Sequence, residues 1–281
     1  MAAMKLVFFA LSVVLPFSAW ALPTEVRVLG QSLQPGGYWL AEVPPTAQLS
    51  IGGTALQSVP ANGKAYVLAG FDRFSALERW LKVCLDETDA RCTTHKLTLT
   101  PRTYVTQNVK GAPKNTLKPN MAEEKRIAAD SRAIAAARAE VLARGVGQTY
   151  FAKGFINPVK KARISGVYGS SRKFEGEERS WHKGIDYAAP TGTPVYAPAA
   201  GIVRLARDTF MSGQLVMLDH GGQLSTVYAH LNKIHVKVGD KVKQGQHIAD
   251  VGNTGRSSGP HLHWGMYWGA MAIDPLPWVA K

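Results

Sequence analysis

Histidine and aspartate cluster near the end of this chain in three short runs: His182-Lys-Gly-Ile-Asp186, Tyr228-Ala-His230-Leu231 and Gly259-Pro-His261-Leu-His263. A hydrolytic zinc ion needs three protein ligands and one open position, so that a bound water ionises near neutral pH. In an extended strand, side chains two or four residues apart share one face. His182 with Asp186, and His261 with His263, are thereby able to offer two donor pairs to one groove. Two imidazoles and a carboxylate leave tetrahedral zinc one free position, whereas a fourth protein ligand would close it into a structural site. Spacing alone does not choose between His261 and His263. The remaining histidines, His95, His220, His235 and His247, stand singly in strand-like or turn-like runs and read as surface or structural residues. His220, beside Gly221-Gly222, reads as a hairpin cap.

The order of these runs resembles the lysostaphin/LytM-type zinc metallopeptidases, which cut peptide bonds in bacterial peptidoglycan. The resemblance is carried by Arg163-Ile-Ser-Gly-Val-Tyr-Gly169, His182-x-x-x-Asp186, Tyr228-Ala-His230-Leu231 and Gly252-Asn-Thr-Gly-Arg-Ser-Ser-Gly-Pro-His-Leu-His263. It implies one zinc ion per chain, held by His182, Asp186 and His263. It leaves His230 and His261 in the groove as unligated catalytic imidazoles. One takes a proton from the attacking water, and the other, protonated, steadies the oxyanion or the leaving amine; either residue can fill either role, with His261 favoured as base. The family pattern often continues His-Leu-His-Phe-Glu, where this chain has Trp264-Gly265 after His263, a departure that spares every metal position. Some LytM-like domains have lost ligands and activate cell wall amidases by binding. The complete ligand set here points instead to an endopeptidase acting on D-alanyl–diamino acid cross-links.

These residues need a β scaffold. Residues 22–112 read as short strands (Glu25–Leu29, Gly37–Glu42, Lys64–Ala69, Trp80–Leu85, His95–Leu99) broken by Pro-Gly, Gly-Gly and Asn-Gly turns, the pattern of a small β-sandwich. That region also resembles the immunoglobulin-like domain ahead of some Gram-negative enzymes of the same family. Residues 113–154 form a linker with a helix at 121–144, started by Asn120 and Glu123 and stopped at Gly145. Ile127/Ala128, Ile134/Ala135 and Val141/Leu142 make its apolar stripe, which packs on one of the two domains, borders the groove, or dimerises. Residues 155–281 return to strands and form the antiparallel β domain of the resemblance. Within it, the loop Gly252–Pro260 turns the chain so that His261 and His263 enter the groove, with Pro260 stiffening the approach.

Composition bounds the partners. The net charge of +13 favours anionic polymers such as acidic wall material, and no nucleic-acid-binding motif accompanies it. Arg172, Lys153, Lys160, Lys161 and Arg163 are candidates to attract such a substrate. Lys5 followed by the apolar run Leu6–Ala21, ending Ala19-Trp20-Ala21, reads as a cleaved secretory signal. The expected product is a periplasmic protein with no stable membrane insertion, partnered by peptidoglycan and by a regulatory envelope protein. Two cysteines in an oxidising compartment predict one structural disulfide, Cys84–Cys92.

Overall fold

The computed structural model describes residues 21–86, 92–111, 113–144, 148–174 and 177–279. The signal sequence and the Gly145 helix stop lie outside these residues. Among those described, no helix is long and apolar enough to cross a membrane.

The first region is a sandwich of two antiparallel sheets. One runs in the order Arg27–Ser32, Tyr38–Val43, Lys64–Gly70, Ser58–Ala61; the other runs Thr54–Ala55, Gln48–Ile51, Glu78–Cys84, Cys92–Thr98. In Glu78–Cys84 the alternation is plain, with Leu81 and Val83 buried while Trp80 and Lys82 face outward. Inside, they meet Trp39, Ala41, Val43, Leu49, Val67 and Leu97. Cys84 and Cys92 sit opposite each other in this hairpin and form the expected disulfide. Gln48–Ile51, Thr54–Ala55 and Ser58–Ala61 escape the sequence pattern because strands of two to four residues offer at most two inward side chains.

Tyr38–Val43 is buried along its whole length. One face supplies the sandwich core; on the other, Tyr38 and Leu40 join the core of the C-terminal domain. There Tyr38 stacks on Trp278 with ring centroids 3.9 Å apart. The strand Thr106–Val109 leaves the sandwich and pairs in parallel with Ser171–Phe174, which pairs with Glu177–Trp181.

The helix spans Met121–Arg144. Its start is a reciprocal cap: Glu123 N–H donates to Asn120 Oδ1 and Asn120 N–H to Glu123 Oε2, at 3.0 and 2.8 Å. Val141 and Ala137 are buried and Ile127 and Ile134 partly so, whereas Ala128, Ala135 and Leu142 are exposed, which narrows the expected stripe. The buried face is not wholly apolar, because Asp130 lies in it. Its carboxylate accepts from Arg207 at 3.0 Å and from the backbone N–H of Phe210 at 2.8 Å. The helix therefore docks on the C-terminal domain, against the strands Gly201–Thr209 and Leu224–Ile234.

That domain is built on a ten-stranded sheet. Its main path is Arg163–Gly166, Gly184–Ala188, His261–Trp268, Leu224–Ile234, Gly213–Asp219, Gly201–Thr209, Lys241–Val242. Pro194–Tyr196 pairs with His247–Val251, which also pairs with Leu224–Ile234.

Candidate metal centre

Three neighbouring strands set the donors in a row. Asp186 lies opposite His263, and His263 lies opposite Ala229, one residue before His230. His261 and His263 share one strand face, while Leu262 and Trp264 between and after them are fully buried on the other. The Trp264 departure from the family pattern thus falls in the core, and Gly265 is its groove-side neighbour. His182 differs from expectation. It precedes the strand Gly184–Ala188 instead of lying in it, so a shared strand face is not what joins it to Asp186. Two backbone hydrogen bonds of 2.8 Å fix it: His182 N–H donates to Ser170 O, and Gly169 N–H donates to His182 O.

The three donor atoms converge. His182 Nε2 lies 2.9 Å from His263 Nδ1 and 3.0 Å from Asp186 Oδ1, and His263 Nδ1 lies 2.9 Å from the same oxygen. His182 Nδ1–H donates to Val167 O at 3.0 Å, which assigns the lone pair of the neutral ring to Nε2. Burial pushes His182 down to about 4, so the ring is neutral at pH 7. Burial also opposes charge on Asp186, but its contacts with His182 and His263 outweigh this and hold it well below the usual carboxylate range. An imidazole lone pair thus faces an anionic oxygen and a second ring nitrogen in a buried site. A divalent cation resolves that arrangement, and the donor set fits zinc. The other carboxylate oxygen, Asp186 Oδ2, accepts from Arg172 Nη2. Arg172 is therefore engaged in orienting the Asp186 carboxylate, a role its sequence position did not reveal. A side chain on Gly166 would strike that carboxylate and the guanidinium, which accounts for glycine there.

His230 and His261 stand beside this triangle, their rings 4.8 Å apart between centroids. His261 Nε2 is 3.8 Å from Asp186 Oδ1, while its Nδ1–H donates to Gly259 O at 2.8 Å. His230 Nδ1–H donates to Thr254 O at 2.7 Å. Each ring thereby keeps Nε2 as its basic atom. His230 adopts φ 62°, a left-handed conformation that costs a non-glycine residue about 1–3 kcal/mol. The pairing with Gly213–Asp219 slips at this point, and the resulting bulge turns the ring out of register. Its N–H donates to Ser212 O at 2.8 Å. Burial first, then the nearby His261 and His263, push His230 down to about 3.

The loop Gly252–Pro260 does more than deliver His261. Thr254 O anchors His230, and Thr254 Oγ1 donates to Leu231 O at 2.8 Å while accepting from Gln214 N–H at 3.1 Å. Tyr228, quoted with His230 in the sequence, is instead a core residue bonded to Thr226. His220 is fully buried, its Nδ1 at 2.7 Å from Ala200 O and its Nε2 at 2.7 Å from Thr226 Oγ1. His235 and His247 do not stand singly: they meet at Asp250.

Two clefts of about 310 and 330 Å³ open on the centre, and Arg172 and Arg256 line both. Asp186, His261, Gln107 and Lys110 border the first, so the Thr106–Val109 strand builds one groove wall. His182, His230, His263 and Tyr267 border the second. Lys153, Lys160, Lys161 and Arg163 are exposed, and neither cleft includes them or a residue of the helix.

Residues 180–275 match the family model of Peptidase family M23. A stretch of 105 residues is 49% identical to the peptidoglycan DD-endopeptidase ShyA of Vibrio cholerae, covering 37% of this chain and 24% of that protein. A stretch of 129 residues is 44% identical to a metalloprotease of Haemophilus influenzae, covering 44% of this chain and 27% of that protein. The chain thus spans about a quarter of the length of these curated relatives. The crystal structure of a peptidase M23 from Pseudomonas aeruginosa superposes with a TM-score of 0.61 at 24% identity, covering 89% of this chain and 96% of that one, a likeness of fold. The C-terminal domain is an M23, LytM-type metallopeptidase domain.

Proposed function

We propose that this chain is a zinc metalloendopeptidase that hydrolyses peptide cross-links of peptidoglycan, cutting the D-alanyl–diamino acid bond after export to the periplasm. The observation that carries the reading is the convergence of His182 Nε2, Asp186 Oδ1 and His263 Nδ1 beside two imidazoles whose Nδ1 atoms are tied to backbone carbonyls. Zinc held by His182, Asp186 and His263 would lower the pKa of water from about 15.7 towards 7 and would polarise a carbonyl. His261 takes the water proton at Nε2, since Gly259 O already holds its Nδ1–H. His261 then hands that proton to the departing amine, while His230, its Nδ1–H fixed on Thr254 O and its ring neutral at pH 7, presents an Nε2 lone pair that accepts from the attacking water or a substrate N–H. Arg172 keeps Asp186 turned so that Oδ1 faces His182 and His263. Clefts on both sides of the centre accommodate a substrate that continues in both directions, as a cross-link does. The basic balance of the chain suits an anionic wall polymer.

The test is digestion of purified peptidoglycan by metal-stripped and zinc-restored protein, with mass analysis of the muropeptides. Loss of cleavage on stripping, recovery with zinc, and new D-alanine ends are expected. Metal-independent stimulation of an amidase, without cleavage, would instead identify a binding activator.

A further inference from the structure

A second cluster with the same donor types lies outside the groove. His235 follows the strand Leu224–Ile234, His247 opens the strand His247–Val251, and Asp250 lies three residues on. His235 Nε2 is 2.9 Å from Asp250 Oδ2, and His247 Nε2 is 2.8 Å from Asp250 Oδ1. The two rings are 4.4 Å apart between centroids. A regular strand would send residues 247 and 250 to opposite faces. Here the register slips opposite Val195 and Tyr196, leaving Ile248 and Ala249 both buried and turning His247 and Asp250 to the same outer side. The bulge thus assembles a three-donor group that the sequence spacing disguises.

We propose that His235, His247 and Asp250 form a second site for a divalent transition-metal ion, with zinc favoured by two imidazoles and a carboxylate. Without metal, each ring donates its Nε2–H to one oxygen of Asp250. On binding, each Nε2 proton is displaced to Nδ1 or, where that is already occupied, to solvent, so both Nε2 lone pairs face the ion. Water completes the coordination, because the side chains keep 27%, 42% and 17% of their surface exposed. The ion would clip Leu224–Ile234 to His247–Val251, which already pair through Lys233–Asp250 and Ile234–Ala249. The first of these strands carries His230, and the second runs on to Gly252, which bridges to His261. The site is a staple on the two strands that lead to these imidazoles, and its three residues line neither cleft of the groove.

Metal analysis of the full chain after dialysis against zinc tests this. The unaltered protein is expected to retain about two equivalents, and a folded His235→Gln/His247→Gln variant about one, with peptidoglycan cleavage unchanged. Asp186→Asn should remove the other equivalent and spare this one. A single equivalent in the unaltered protein, lost only with Asp186→Asn, would overturn the second site and leave the reading of the groove standing. Retention of both equivalents by the double variant would overturn it equally.

Discussion

Two clusters of two histidines and one aspartate occupy this domain, and they differ in burial and in what stands behind the donors. In the groove, His182 and Asp186 are buried, and the outer atoms of these two have their own supports: Val167 O behind His182, Arg172 behind Asp186. At the cluster of His235, His247 and Asp250 the donors are partly open to water, and each oxygen of Asp250 is taken by one ring. Burial and outer supports, not donor identity, distinguish a centre that strengthens charge interactions from one that merely binds. The groove also has two further imidazoles beside it, and the second cluster has a lysine-bearing strand instead.

The largest effect separates the clusters directly. His263→Gln should abolish peptidoglycan cleavage and groove metal together, while His247→Gln leaves the cleavage rate unchanged in the same assay. His261→Ala should lower the rate by roughly 10² to 10⁴-fold with groove zinc retained, because it removes a proton carrier and no ligand. If zinc leaves with it, the division of labour between His261 and His263 is wrong. Arg172→Met should reduce zinc affinity or turnover by about 10 to 100-fold, the usual effect of removing an outer support of a ligand. The second cluster, lacking such an arginine on its carboxylate, provides the control.

Smaller effects lie in stability. Asp130→Asn weakens the contacts to Arg207 and to the Phe210 N–H that hold the turn next to Ser212, whose carbonyl supports His230. It should cost about 1–3 kcal/mol in denaturant unfolding. His220, which burial pushes down to about 4, contributes to the pH dependence alongside the groove residues His182 and His230. The unfolded chain takes up that proton first, near pH 6.5, so the His220 contribution to stability is level above this value. It should fall as pH drops from about 6.5 to 4, by up to about 3 kcal/mol, in urea melts at stepped pH.

Much of this was legible in the residues alone. Alternation and turn dipeptides marked the longer strands, Asn120 and Glu123 marked the helix start, and the paired cysteines marked the disulfide. The ordered runs around His182, His230 and His263 marked the groove. These are local signals, and each is written within a few consecutive residues. What tertiary structure alone decided was how distant residues meet. Strand register set Asp186 against His263, and a bulge with a left-handed backbone aimed His230. Arg172 and Thr254 gained their roles only by landing beside Asp186 and His230. His235, His247 and Asp250 found one another because a one-residue slip reverses which face a side chain takes, and spacing in the chain cannot record that slip.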